Sequence, residues 1–212
     1  METGRRATGW LLGSALIALA GVACGPAEPS ERQTYRDPDE RFLFKLPADW
    51  NVYTEELGAV DTRPFNGTNP EVSGVFFDGY PTEDAQHLAV SVSEAQFPIG
   101  TAAVRPIDDQ ERDYISRFLL TQTVVPYQEQ EEVREMLKQD FEFADDVEGV
   151  RVFVSYRERE TDELAVVFLK SVTNADDTRM YSIAVGCSLE CFQAYEQDIE
   201  EVVESWIINT RD

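Results

Sequence analysis

Polar and apolar positions along the chain alternate in two rhythms, and the change of rhythm divides it into elements. Phe42, Phe44 and Leu46 recur at period two after the turn chemistry of Asp37-Pro38-Asp39-Glu40, which predicts a strand stopped by Pro47, with Trp50 and Val52 returning to the apolar side. Thr54 to Ser73, with Gly58, Pro64, Gly67 and Pro70, reads as a long irregular connection. Short strands are predicted at Gly74 to Phe77 and at Leu88 to Ser93, where Leu88, Val90 and Val92 share a face. The spacing then lengthens. Asp108 and Asp109 can cap a helix carrying Tyr114, Ile115, Phe118 and Leu119, and a second, acidic helix is predicted over Gln128 to Asp140, with Val133, Met136 and Leu137 on one stripe.

The last third is the most regular. Val150 to Tyr156, Ala165 to Val172 and Tyr181 to Cys187 alternate, and the polar turns Arg159-Glu160-Thr161-Asp162 and Asn174-Ala175-Asp176-Asp177 separate them, which predicts a three-stranded antiparallel meander. A long helix follows from Leu189 to Ile207. Its Phe192, Tyr195, Ile199, Val202 and Trp206 recur every three or four residues, a stripe that packs across a sheet as core.

At the other end, Trp10 to Ala23 is apolar and uncharged, follows Arg5 and Arg6, and closes on Gly21-Val22-Ala23-Cys24, the layout of an export signal ending in a lipobox. Residues 1–23 are then a signal peptide, and Cys24 is the lipidated first residue of the mature chain. Two alternatives stand beside this reading. Ala7 to Ala27 is long enough for an uncleaved anchor, which needs about 20 residues, and a plain secretory cut would leave Cys24 as a free thiol. The Arg5-Arg6 pair resembles a twin-arginine signal, but Ala7-Thr8-Gly9 lacks the apolar residues that follow one, so the export route stays open. Cys24 to Gln33 has two prolines and no large apolar residue and is read as a tether, reaching roughly 33 to 36 Å when extended. Thr34 to Asp212 is then one domain, long enough to bury roughly 70% of its unfolded surface.

Charge narrows the partners. The 212 residues carry a formal charge of −23, and removing the signal takes away Glu2, Arg5 and Arg6, leaving −24. Nonspecific nucleic-acid binding requires a basic surface and is excluded. Anionic lipid is repelled, so the acyl chains hold the membrane. Only Lys45, Lys138 and Lys170 are lysines, and such an acid-rich, lysine-poor surface suits solubility in high salt.

Catalytic motifs are missing from the sequence. It contains no GxSxG, HExxH, CxxC or phosphate-binding glycine loop, and a single histidine, His87, makes a histidine-rich metal site impossible. His87 as a base would need an orienting acid and a nucleophile that its neighbours in sequence do not supply, so it is read as a surface or edge histidine. Asp145-Asp146 and Asp176-Asp177 lack calcium-loop spacing and read as turn residues; Asn66-Gly67-Thr68 fits a sequon but reads as a turn. Catalytic, cofactor and metal residues are each expected to be none. Cys187 and Cys191 are the two thiols left once Cys24 is acylated, an even number in an exported chain, and Ser188 as an N-cap folds the chain back between them. A disulfide between them is expected, against the reading of two small buried hydrophobes.

The order Phe42–Trp50 (FLFKLPADW), Val147–Glu158 (VEGVRVFVSYRE) and Phe192–Trp206 (FQAYEQDIEEVVESW) resembles the PsbP-like family, the extrinsic photosystem II proteins and their bacterial and archaeal relatives. The resemblance implies an α/β fold, an antiparallel sheet with helices on both faces. It also implies a binding or assembly role, and the family has lipid-anchored members. The acidic stretches depart from the photosynthetic members, so the oxygen-evolving role does not carry over. The expectation is therefore an exported lipoprotein held at the extracytoplasmic face of the cell membrane. It would need no cofactor and would bind a protein partner of unknown identity in a noncatalytic role. A surface hydrolase is the alternative.

Overall fold

The computed structural model describes residues 31–54, 73–112, 133–143, 147–158 and 161–209. Cys24, Asn66-Gly67-Thr68, Tyr114, Ile115, Phe118, Leu119 and Asp145-Asp146 lie outside them. The strands are β1 (Arg32–Arg36), β2 (Phe42–Pro47), β3 (Asn51–Tyr53), β4 (Ser73–Asp78), β5 (Ile99–Pro106), β6 (Val133–Phe143), β7 (Val147–Arg157), β8 (Leu164–Thr173), β9 (Arg179–Ser188) and β10 (Ile207–Ile208). They form a three-stranded sheet ordered β1-β2-β10 and a seven-stranded sheet ordered β3-β4-β5-β9-β8-β7-β6. Every pairing is antiparallel.

The predicted meander is present and longer than expected. Its tips are short polar turns with Asp162 and Asp177 at positive φ (58° and 52°), a backbone state that aspartate tolerates. Asn174 closes the second turn by accepting from the backbone N–H groups of Thr178 and Arg179, each at 2.8 Å. Asp37 closes the β1–β2 hairpin in a similar way. It accepts from the N–H of Asp39 and Arg41 and takes the Arg41 guanidinium on both oxygens at 2.7 Å.

One long helix, Leu189–Glu204, packs on β8, β9 and β2. Ser188 caps it, accepting from Cys191 N–H at 3.3 Å, and Cys191 is joined to Cys187 by a disulfide with Cα atoms 5.9 Å apart. Phe192 meets Phe153 edge-on at 5.3 Å, while Ile199, Val202 and Val203 are fully buried. At its C-terminal end Glu204 pairs with Lys170 and with Arg151 (2.9 Å), placing cations where the helix dipole favours them. The helix ends three residues earlier than predicted. Ser205 turns the chain, Trp206 is buried beyond it, and Ile207–Ile208 pairs with β2.

Four expectations are corrected. Among the described residues helices do not cover both faces of the large sheet: the long helix packs on β8 and β9, and the segment between β4 and β5 reaches the sheet where Val92 meets Gly186. From Val133 on, the acidic helix expected over Gln128 to Asp140 is replaced by β6, paired along β7 from Val133 to Phe143, while residues 128–132 lie outside the described residues. Helix-favouring residues yield here to a ladder that completes the sheet. Leu88 to Ser93 is not a strand but a 3-10 turn, Ala85–Ala89, followed by a second turn. Leu88 and Val92 are still both buried in the core. Gly186 permits the close approach of Val92, since a Cβ there would stand 3.0 Å from Val92 Cγ1 and 2.8 Å from Val166 O. Finally, Arg32 and Gln33, assigned to the tether, lie in β1. The helix expected after Asp108 begins as an α-helix at Asp109–Arg112, and its continuation lies outside the described residues.

Candidate functional site

The sole histidine is not alone. The 3-10 turn that carries it is capped by Asp84, which accepts from Gln86 N–H at 3.0 Å, and it leans on the end of β4, where Asp78 is wholly buried. The Asp78 carboxyl group collects donors from three directions. Asn51 Nδ2 and the Tyr80 N–H reach Oδ1 at 2.8 and 3.0 Å, and the Tyr53 hydroxyl reaches Oδ2 at 3.0 Å. Asn51 also donates to Tyr80 O at 2.8 Å, and the Tyr53 oxygen accepts from Asp84 N–H at 3.2 Å. Burial first, then the bond to Asp78 and its charge, push the Tyr53 hydroxyl well above its usual range, so it stays a donor.

His87 Nδ1 stands 3.8 Å from Asp78 Oδ2, longer than a hydrogen bond, and is itself buried without a hydrogen-bond partner. The acid that sequence reasoning could not find thus comes from a neighbouring strand, and it is already engaged by three other donors. The hydroxyls that follow His87 are also engaged. Ser91 donates to Glu158, Ser93 N–H reaches the same oxygen at 3.3 Å, and Ser93 Oγ lies 2.7 Å from Thr161 Oγ1, which ties this turn to the β7–β8 hairpin. Among the described residues, no group of three or more His, Cys, Asp or Glu is placed to hold a metal ion.

What the anchored loop presents is a row of rings. The His87 imidazole stacks on Tyr80 at 3.9 Å and 18°, Tyr80 tilts against Phe97 at 4.9 Å, and Phe97 meets Tyr195 of the long helix at 6.0 Å. All four are half-buried. Burial raises the Tyr80 hydroxyl above its ordinary value, against an opposing hydrogen bond from the Gln96 backbone. Tyr195, read from its spacing as core, packs half-buried against the core and forms the outer end of this ledge. One helical turn on, Asp198 accepts from Arg32, the first residue of β1, at 2.8 Å. The ledge therefore lies at the end of the fold where the chain arrives from its N-terminus.

Comparison with solved structures adds the fold. The Saccharomyces cerevisiae Ran-binding protein Mog1p superposes with a TM-score of 0.50 at 8% identity, covering 85% of this chain and 96% of its own. The chain shares that fold. The match with cyanobacterial PsbP from Synechocystis has a TM-score of 0.49 at 13% identity over 88% of this chain and 98% of that one. LpqN, involved in cell envelope biogenesis of Mycobacterium tuberculosis, gives 0.48 at 11% identity over 84% and 91%. At such identities the likeness is one of fold, and no site residue transfers with it. No family model matches the sequence, and neither does any curated protein.

Proposed function

We infer that this is an exported protein held at the cell envelope by lipid on Cys24, acting through noncatalytic binding of a partner. The half-buried ledge His87, Tyr80, Phe97 and Tyr195 carries this reading. Rings packed in a row, with Tyr80 held through its N–H by the Asp78 hub, form a preorganised contact surface, and aromatic residues are enriched where proteins bind. The Gly21 to Cys24 pattern supports the anchor. Among the described residues no helix is long and apolar enough to cross a membrane.

One observation favours the hydrolase instead, namely the nearness of His87 to Asp78. A general base is oriented by a hydrogen bond of roughly 2.6 to 3.2 Å, and here the contact is 3.8 Å to an oxygen that Tyr53 already occupies. A photocrosslinking residue at position 195 separates the two readings. In native membranes a discrete protein adduct is expected, absent when the same residue replaces Asp176 at the opposite end of the meander. Failure to form any adduct, together with ester or peptide hydrolysis that His87→Gln abolishes, would replace the binder with the enzyme.

A further inference from the structure

We propose that the ledge is the docking surface for an arginine-bearing, cationic segment of a partner protein. This deepens the binding role inferred above and rests on it. The rings supply the first half of the argument. Tyr80, His87, Phe97 and Tyr195 form a continuous row from the β4–β5 connection to the long helix, and each keeps part of its surface open to solvent. Their positions are fixed rather than adaptable. Asp78 pins Tyr80 through its N–H, and Gly79 N–H donates to Pro98 O at 2.8 Å, holding together the two chain segments that carry Tyr80 and Phe97. Aromatic faces attract guanidinium groups through the ring quadrupole and by flat stacking, which an ammonium cannot match.

Charge supplies the second half. Neither element that builds the ledge, Gly79–Pro98 or Leu189–Glu204, contains a lysine or arginine. Glu83, Glu94 and Glu196 are exposed on them. The basic side chain that reaches the helix here, Arg32, is already paired with Asp198 and Glu201. A partner that places carboxylates on this surface meets repulsion, and a bare apolar face covers the rings but leaves the acids beside them unpaired. One that places arginines meets rings and acids together. The chemistry thus selects a basic peptide over an acidic one, and over an anionic bilayer as well.

The location restricts where such a partner stands. With β1 beginning at Arg32, the stretch from Cys24 to Glu31 spans at most roughly 26 to 29 Å. If Cys24 carries the anchor, the start of β1, beside which the ledge lies, stays within that reach of the membrane, so the segment the ledge takes belongs to a neighbour at the same surface.

Binding of short model peptides to the full-length chain in zwitterionic detergent micelles tests this without depending on the anchor, so failure of the Cys24 reading and failure of the ledge give different results. Labelled hexa-arginine, hexa-lysine and hexa-glutamate are titrated at about 0.1 M salt, where long-range attraction is screened beyond roughly 10 Å. Hexa-arginine should bind several-fold more tightly than hexa-lysine, and hexa-glutamate should not bind. Each ring removed should weaken hexa-arginine by about two- to fivefold. Phe97→Leu with Tyr195→Leu should therefore bring it to the hexa-lysine level, while Asp176→Asn leaves it unchanged. Should the double variant fail to fold, Tyr195→Leu alone on the helix surface carries the test. Equal affinity for the two cationic peptides, equal weakening by Asp176→Asn, or no binding would each overturn the proposal. Phosphatidylcholine vesicles that displace bound hexa-arginine would overturn it in favour of a lipid surface.

Discussion

Asp78 and Asp37 are two buried acids with opposite visibility in the sequence. Asp37 sits in DPDE, and its turn role follows from residue chemistry alone. Asp78 follows a strand as one acid among many, and nothing local marks it as the hub that Asn51, Tyr53 and Tyr80 share, because its partners converge only when β3 pairs with β4. His87 was legible as the sole histidine and its neighbour was not, for the same reason. Asp78→Asn replaces one acceptor with a donor that faces other donors, and should cost about 2 to 3 kcal/mol in urea unfolding; a change within 0.5 kcal/mol, the scale of an ordinary surface substitution, would remove the hub from the account.

Asp37 makes a pH prediction. Burial alone would raise its pKa, but the hydrogen bonds and charge of Arg41, with the Asp39 N–H, outweigh burial and lower it from 3.8. A group whose folded value is depressed contributes stability above its unfolded value and loses it as pH falls through the folded one. Asp37→Asn should therefore be less stable than the parent at pH 7, and the gap should close as pH falls below 3.8. A gap that is constant from neutral to acid pH would contradict the pairing.

Among the elements, the hairpins and the final helix were readable because each carries its own periodicity and punctuation. β5 was missed. Ile99–Pro106 lies between neighbours on both sides, with small residues such as Gly100, Ala102 and Ala103 buried within it, so it shows no alternation. β6 was misread because its composition favours helix, whereas its state is set by β7. The disulfide was legible from cysteine count and the Ser188 cap together. It ties the end of β9 to the first turn of the helix, and closing five residues is worth about 2 kcal/mol on the chain-entropy model. Cys187→Ala with Cys191→Ala should lower stability by about that amount and speed amide exchange in Leu189–Glu204 before β7–β9. Uniform exchange across both would show that the bridge does not set the helix.

In the whole molecule the ring-lined end lies beside Arg32, where β1 begins and Asp198 of the long helix pairs with it. Charge and export pattern were readable from sequence. The ledge was not, because it assembles from Tyr80, His87, Phe97 and Tyr195, which only tertiary packing brings together. The most direct test of an anchored binding protein is the fractionation of cells carrying Cys24→Ala. The variant is predicted to move to the soluble extracytoplasmic fraction while the parent stays with the membrane through a salt wash. A variant that still sediments with the membrane after that wash would contradict the lipid anchor on which the account rests.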